Sequence, residues 1–203
     1  MIKAVIFDLG GVLIDWNPRY LYRKIFKHEE DIDLFLERVC TPAWNEEQDG
    51  GRSLAEATET LIKEFPEQQE YIRAYYDRWE EMLKGPIGGT VELFKQIKDS
   101  GRFGVYALTN WSAETFPVAV QRYDFLSWFD GILVSGDEKL KKPAPEFYEL
   151  LLSRYSLLAE ESVFIDDSLR NVEAARKVGI RSVHFKSAAQ LATELGPLLD
   201  MRF

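Results

Sequence analysis

The sequence predicts an α/β protein: a parallel sheet covered on both faces by helices, with an all-helical segment inserted after its first strand. Three observations carry this expectation. Short apolar runs alternate with helix-periodic segments from residue 90 to the end. No strand-like pattern occurs between residues 17 and 84. The apolar run Val5-Ile6-Phe7 ends on Asp8 and breaks two residues later into Gly10-Gly11, as a buried strand that delivers an acid to a sheet edge does. With 203 residues, 46% of them hydrophobic and 13% aromatic, the chain is ample for a real core and excludes disorder.

Element by element, the first strand runs from about Lys3 to Asp8. Asn17-Pro18 then reads as a helix start, with proline at the first helical position. Tyr20, Leu21, Ile25 and Phe26 share one face of a first helix, and Ile32, Leu34, Phe35 and Val39 mark a second. Ser53 with Glu56 three residues on caps a third, continued by Ala57, Leu61 and Ile62. Glu67 to Met82 reads as a fourth. The Lys84-Gly85-Pro86-Ile87-Gly88-Gly89 stretch is a hinge, so residues 1–15 and 85–203 form the α/β core and 16–84 the insertion. In the core, strands are expected at 103–109, 131–135, 162–165 and 181–185. Helices are expected at 90–98, 113–123, 145–155, 169–178 and 188–199.

Charge and composition remove several functions. A net charge of −9 argues against a nucleic-acid or anionic-membrane surface. No apolar run reaches the roughly 18 residues that suggest a membrane span. The N-terminal apolar run is short and ends in an acid, unlike a secretion signal. The single cysteine, Cys40, excludes an internal disulfide and reads as a small buried apolar residue. A cytoplasmic location is expected. Neither a phosphate loop nor a dinucleotide fingerprint is present.

The polar residues collect at strand ends: Asp8 on the first, Thr109 and Asn110 on the second, Asp166 and Asp167 on the fourth. Lys141-Lys142-Pro143 follows the third. A parallel sheet points all these ends one way. Taken singly, each has a plain alternative: Asp8 and the 166–167 pair as helix caps, Thr109 as a β-branched strand residue, the lysines as a solvated loop. Together, three carboxylates need a cation, because like charges at close range raise each other's pKa. Hard oxygen ligands suggest Mg²⁺, and a lysine and a threonine hydroxyl beside it make a pocket for a small dianion.

These residues resemble the haloacid dehalogenase superfamily of phosphatases and dehalogenases over the whole chain. Phe-Asp-Leu-Gly-Gly-Val-Leu (7–13) is similar to its first motif, Leu-Thr-Asn (108–110) to its second and Lys142-Pro143 to its third. Phe-Ile-Asp-Asp-Ser-Leu-Arg-Asn-Val-Glu-Ala-Ala-Arg (164–176) is similar to its fourth. The resemblance implies a Rossmann-like core with a four-helix cap over the site, and Asp8 as nucleophile. It implies that Thr109 and Lys142, with Asn110, hold the phosphate of a small phosphorylated substrate. It also implies that Asp8, Asp166, Asp167 and the Gly10 carbonyl bind Mg²⁺, with Asn171 in support. Trp16, Asn17 and Arg19, at the start of the insertion, and Trp111 are expected substrate contacts; Trp44 and Trp79 are expected to pack within it.

Gly10 departs from the pattern, because phosphatases of this kind carry a second aspartate there as proton donor. Three readings follow: a phosphatase that uses another donor or acts on an ester whose leaving group needs little help, a 2-haloacid dehalogenase, or a weakly catalytic phosphometabolite-binding protein. Tyr148 matches a dehalogenase position and equally a helix-face tyrosine. The adjacent acids Asp166 and Asp167 favour metal-dependent phosphate chemistry, since without a metal they would repel a haloacid carboxylate. A phospho-signalling receiver domain, which combines similar residues, carries its acid pair before the phosphorylated aspartate and lacks the insertion. His184 is expected as a satisfied core residue and His28 at the surface.

Overall fold

The computed structural model describes all residues, 1–203. Five parallel strands form the central sheet: β1 (Ala4–Phe7), β4 (Gly104–Thr109), β5 (Gly131–Val134), β6 (Ser162–Asp166) and β7 (Arg181–His184). Their order is β5-β4-β1-β6-β7, so the first strand is central and hydrogen-bonds to both β4 and β6. Side chains alternate between the two faces as the pleat requires. Val5, Phe7, Val105 and Val163 share one cluster with Phe94, Leu191 and Leu195, from α6 (Gly88–Asp99) and α11 (Ala188–Leu199). Ile6, Leu108, Leu133 and Phe164 share the other with Phe147, Leu151 and Ala175, from α9 (Pro145–Arg154) and α10 (Leu169–Lys177). Both faces of β1 are fully buried, which is why its sequence is continuously apolar rather than alternating.

Two short antiparallel strands absent from the sequence reading, β2 (Ile14–Trp16) and β3 (Leu83–Pro86), lie either side of the helical segment. Between them the chain makes α1 (Arg19–Tyr22), α2 (Glu29–Arg38), α3 (Pro42–Asp49), α4 (Leu54–Glu64) and α5 (Gln69–Asp77). That is one more helix than the four expected. The added one, α3, is capped by the Thr41 hydroxyl, which accepts from the Trp44 amide, and has Pro42 in its first turn. Its sequence is mostly polar, so periodicity does not reveal it. The expected fourth helix breaks at Arg78 into a 3₁₀ turn, Trp79–Met82. An aromatic group of Tyr22, Phe26, Phe35, Tyr71 and Tyr75 holds the helices together. Two short helices complete the core, α7 (Phe116–Arg122) and α8 (Ser135–Glu138). No helix is long and apolar enough to cross a membrane.

Candidate active site at the carboxyl ends of the strands

Asp8 directly follows β1, and its amide donates to the Ile165 carbonyl of β6 at 2.8 Å. The chain then folds into a tight turn in which the Leu13 and Ile14 amides both donate to the Leu9 carbonyl. Gly11 takes a left-handed φ of +73°, and any Cβ there would collide with the Asp167 carboxylate. Glycine at position 11 thus lets the loop after β1 lie directly against the acid after β6. Gly10 differs: a Cβ added to it would find nothing within 4 Å.

Lys142 is the centre of the cluster. Its ammonium is completely buried, 2.9 Å from Asp8 Oδ1 and 2.7 Å from Asp166 Oδ2, and it donates to the Leu108 carbonyl at 2.9 Å. Burial alone would lower the lysine's pKa, but the two carboxylates outweigh it and hold the group raised. Asn110 fixes the loop. Its Nδ2 donates to the Lys142 carbonyl at 2.9 Å and its Oδ1 accepts from the Lys142 amide at 2.8 Å. Asp166 is saturated, accepting also from the Ser168 amide at 2.7 Å and from Asn171 Nδ2 at 3.1 Å. Asp8 Oδ1 accepts from the Leu9 amide at 2.7 Å as well as facing Lys142, which leaves Oδ2 without a hydrogen bond.

Asp167 completes the group and is its exposed member. Oxygens of Asp8, Asp166 and Asp167 lie within 4.8 Å of one another. Burial, opposed by Lys142 and reinforced by Asp166 and Asp167, pushes Asp8 up to about 8. Burial and Asp166 also raise Asp167. When all three are ionised, the carboxylates beside one ammonium leave two negative charges unbalanced, which one divalent cation would neutralise. The donors are all hard oxygens, and those of Asp8 Oδ2 and Asp167 are uncommitted. This set fits a magnesium-type ion.

The remaining expected residues divide. The Thr109 hydroxyl is buried at the end of β4 with no hydrogen-bond partner, an orphan donor next to the charged cluster. Trp16 and Asn17 line a cavity of about 620 Å³ together with Asp8, Gly10, Asn110 and Asp167. Asn17 Oδ1 accepts from the Arg19 amide at 2.9 Å, and Arg19 reaches the same cavity while paired with Glu29 and Asp33. Trp111 lines a smaller adjoining recess of about 70 Å³. Trp79 does so as well, its ring edge-on to Trp111 at 5.6 Å, so it is a site wall as well as packing.

The residues that sequence reasoning missed come mainly from α3. Asn45, Glu46 and Asp49 face the large cavity, and Tyr76 joins Asn45 and Asp49 in the small recess. The only local signal was Thr41-Pro42, a good helix cap followed by no apolar stripe.

Other residues take structural places. Tyr148 is fully buried, edge-on to Phe164, and donates to the Asn171 carbonyl at 2.9 Å, joining α9 to α10. His184 is only partly buried at the end of β7, rather than in the core, with Nε2 2.9 Å from the Asp167 carbonyl. His28 is exposed. Cys40 is buried, and burial raises its thiol. Trp44 packs on Tyr75 and Tyr76. Lys141, expected in a solvated loop, donates to the Glu46 carbonyl at 2.8 Å and ties α3 to the core.

Residues 2–179 match the family model for haloacid dehalogenase-like hydrolases. A sesquiterpene phosphatase of Aspergillus oryzae is 30% identical over 197 residues, covering 97% of this chain and 96% of that protein. A phosphorylated carbohydrates phosphatase of Thermotoga maritima is 32% identical over 195 residues, covering 90% and 84%. A Bacteroides thetaiotaomicron enzyme, solved with magnesium and inorganic phosphate, superposes with a TM-score of 0.67 at 24% identity, covering 92% and 96%.

Proposed function

Because the chain belongs to the haloacid dehalogenase-like hydrolases, we propose that it is a magnesium-dependent phosphatase of small phosphorylated metabolites, working through an aspartyl-phosphate on Asp8. One observation carries the reading: a buried lysine bridges Asp8 and Asp166 while Asp167 and Asp8 Oδ2 remain free beside them. The phosphatase names among the relatives support it.

In this mechanism Asp8 attacks phosphorus and the ester oxygen leaves; water then releases phosphate and restores the carboxylate. Lys142 and the Thr109 hydroxyl hold the equatorial phosphoryl oxygens, and Asn110 sets the lysine loop in place. Asp8, Asp167 and the Gly10 carbonyl would hold Mg²⁺, which supplies charge neutralisation for the transferring group. Asp166, already saturated by Lys142, Ser168 and Asn171, orients the lysine rather than binding the ion directly. Residues 16–84 act as the cap, closing the cavity and excluding water. Asn17, Arg19, Asp33, Glu37 and Glu46 rim the 620 Å³ cavity, a polar border suited to a sugar-phosphate-type substrate.

Phosphate release from sugar phosphates and p-nitrophenyl phosphate, with Mg²⁺ and with EDTA, tests the proposal. Metal-dependent turnover is expected. Activity indifferent to EDTA, or halide release from 2-haloacids, would replace it with the dehalogenase. Phosphate binding without turnover on any substrate would replace it with a binding protein.

A further inference from the structure

Position 10 lacks the carboxylate that would protonate the leaving group, yet the space that side chain would occupy is open. Both the large cavity and the small recess reach Gly10, and one carboxylate outside the strand-end cluster lines both with it: Asp49, at the end of α3. We propose that Asp49, from the helical insertion, is the proton donor and acceptor that Gly10 cannot be. This rests on the phosphatase reading above.

Asp49 is held where it is. Its carbonyl accepts from the Ser135 hydroxyl at 2.5 Å, and that hydroxyl in turn accepts from the Trp111 amide at 2.9 Å. One turn earlier, Lys141 anchors the Glu46 carbonyl at 2.8 Å. Within the helix, Asn45 Nδ2 donates to Asp49 Oδ2 at 3.3 Å and Asn45 Oδ1 accepts from Tyr76 at 3.1 Å. The carboxylate therefore hangs from an α3 end fastened to the core, among Trp16, Trp79 and Trp111.

The surroundings suit the task. Burial, opposed by Lys141 and assisted by Glu46 on its own helix, raises Asp49 to about 7; the Ser112 amide and Lys142 pull the other way. Tyr75 and Tyr76, both raised by burial, face it from α5 as neutral phenols. An acid poised near neutrality gives and takes a proton efficiently.

The chemistry balances. As the bond from Asp8 to phosphorus forms and the ester P–O bond breaks, Asp49 passes its proton to the departing oxygen and becomes a carboxylate. In the second step it accepts a proton from the attacking water while the bond between phosphorus and Asp8 breaks. Ester and water give alcohol and phosphate, and Asp49 ends protonated as it began. When α3 is lifted from the core the donor leaves with it, so proton transfer is available only to a closed site.

The test uses the isosteric substitution Asp49→Asn with magnesium, on an alkyl phosphate and on p-nitrophenyl phosphate. Nitrophenolate leaves without a proton, so the substituted protein should release a burst of about one equivalent and then stall as the Asp8 phosphoenzyme, visible by intact mass. Alkyl phosphate turnover should fall by about 10² to 10⁴-fold. Adding Gly10→Asp, which enters open space, should restore much of it. In the unaltered protein, single-turnover rates should change little with leaving-group acidity. Equal, small losses on both substrates, or a steep dependence on leaving-group acidity in the unaltered protein, would overturn the assignment of Asp49. Absence of any magnesium-dependent p-nitrophenol release by the unaltered protein would instead overturn the phosphatase reading.

Discussion

The two walls of the site are built by opposite rules. On the sheet side, Lys142, Asp166 and Asn171 are buried, hydrogen-bonded to one another and to backbone, and fixed by strand ends. On the insertion side, Trp16, Asn45, Asp49 and Tyr76 are partly exposed and come from a short strand and two helices. The sheet wall is a rigid charge cluster suited to a constant chemical step. The insertion wall meets the core through the polar contacts Ser135–Asp49, Lys141–Glu46, Glu114–Leu54, Arg170–Glu46 and Arg122–Glu80, and through the rings of Trp79 and Trp111. On the proposed reading the nucleophile and the phosphate clamp belong to the sheet wall, and the proton donor and the substrate contacts to the insertion wall.

Four substitutions strain this contrast, from the heaviest blow to the lightest. Asp8→Asn should lower kcat by at least about 10⁴-fold with an unchanged fold, as the loss of a nucleophile does; substantial remaining turnover would detach the chemistry from the sheet wall. Lys142→Met leaves two buried carboxylates without their cation and should cost about 3–5 kcal/mol by urea unfolding. A near-neutral result would mean that the cluster is less desolvated than its geometry implies. Tyr148→Phe should cost about 1 kcal/mol, one buried hydrogen bond, and spare kcat. Lost activity there would move Tyr148 into the site. Arg170→Ala removes a half-exposed pair with Glu46 worth about 0.2–1 kcal/mol. It should raise KM slightly and lower kcat by no more than the few-fold such a pair is worth, since Ser135 and Lys141 still hold α3; a larger fall would make Arg170 a principal anchor of Asp49.

The same contrast explains what could be read from sequence. Asp8, Thr109 and the Asp166-Asp167 pair were legible because each sits where a buried apolar run stops, and a parallel sheet makes every stop converge; Lys142, in the loop beyond α8, was marked only by its following proline. Asn110 was legible as a site position, but its side chain turned out to clamp the Lys142 backbone, which no local pattern reports. Asp49 was invisible. It lies on a polar helix whose only cue is its cap, and its environment is created by Trp16, Trp79 and Trp111, brought together from distant segments. The periodicity that marked α2 and α4 says which face packs, not where a short polar helix docks.

The place of β1 at the centre of the sheet has a consequence for how the molecule forms. Its partners β4 and β6 lie about a hundred and about 160 residues further along the chain. The strand that leads into Asp8 is synthesised before both partners and stays an unpaired apolar ribbon until they have emerged. Contacts of such sequence separation assemble late, after loop-closure entropy has been overcome. The helical insertion, with its own aromatic core, is local in sequence and free to collapse earlier. The expected order is insertion first, sheet second, and Asp8, Lys142 and Asp166 brought together only as β6 docks; during that interval a slow or truncated chain exposes β1 to aggregation.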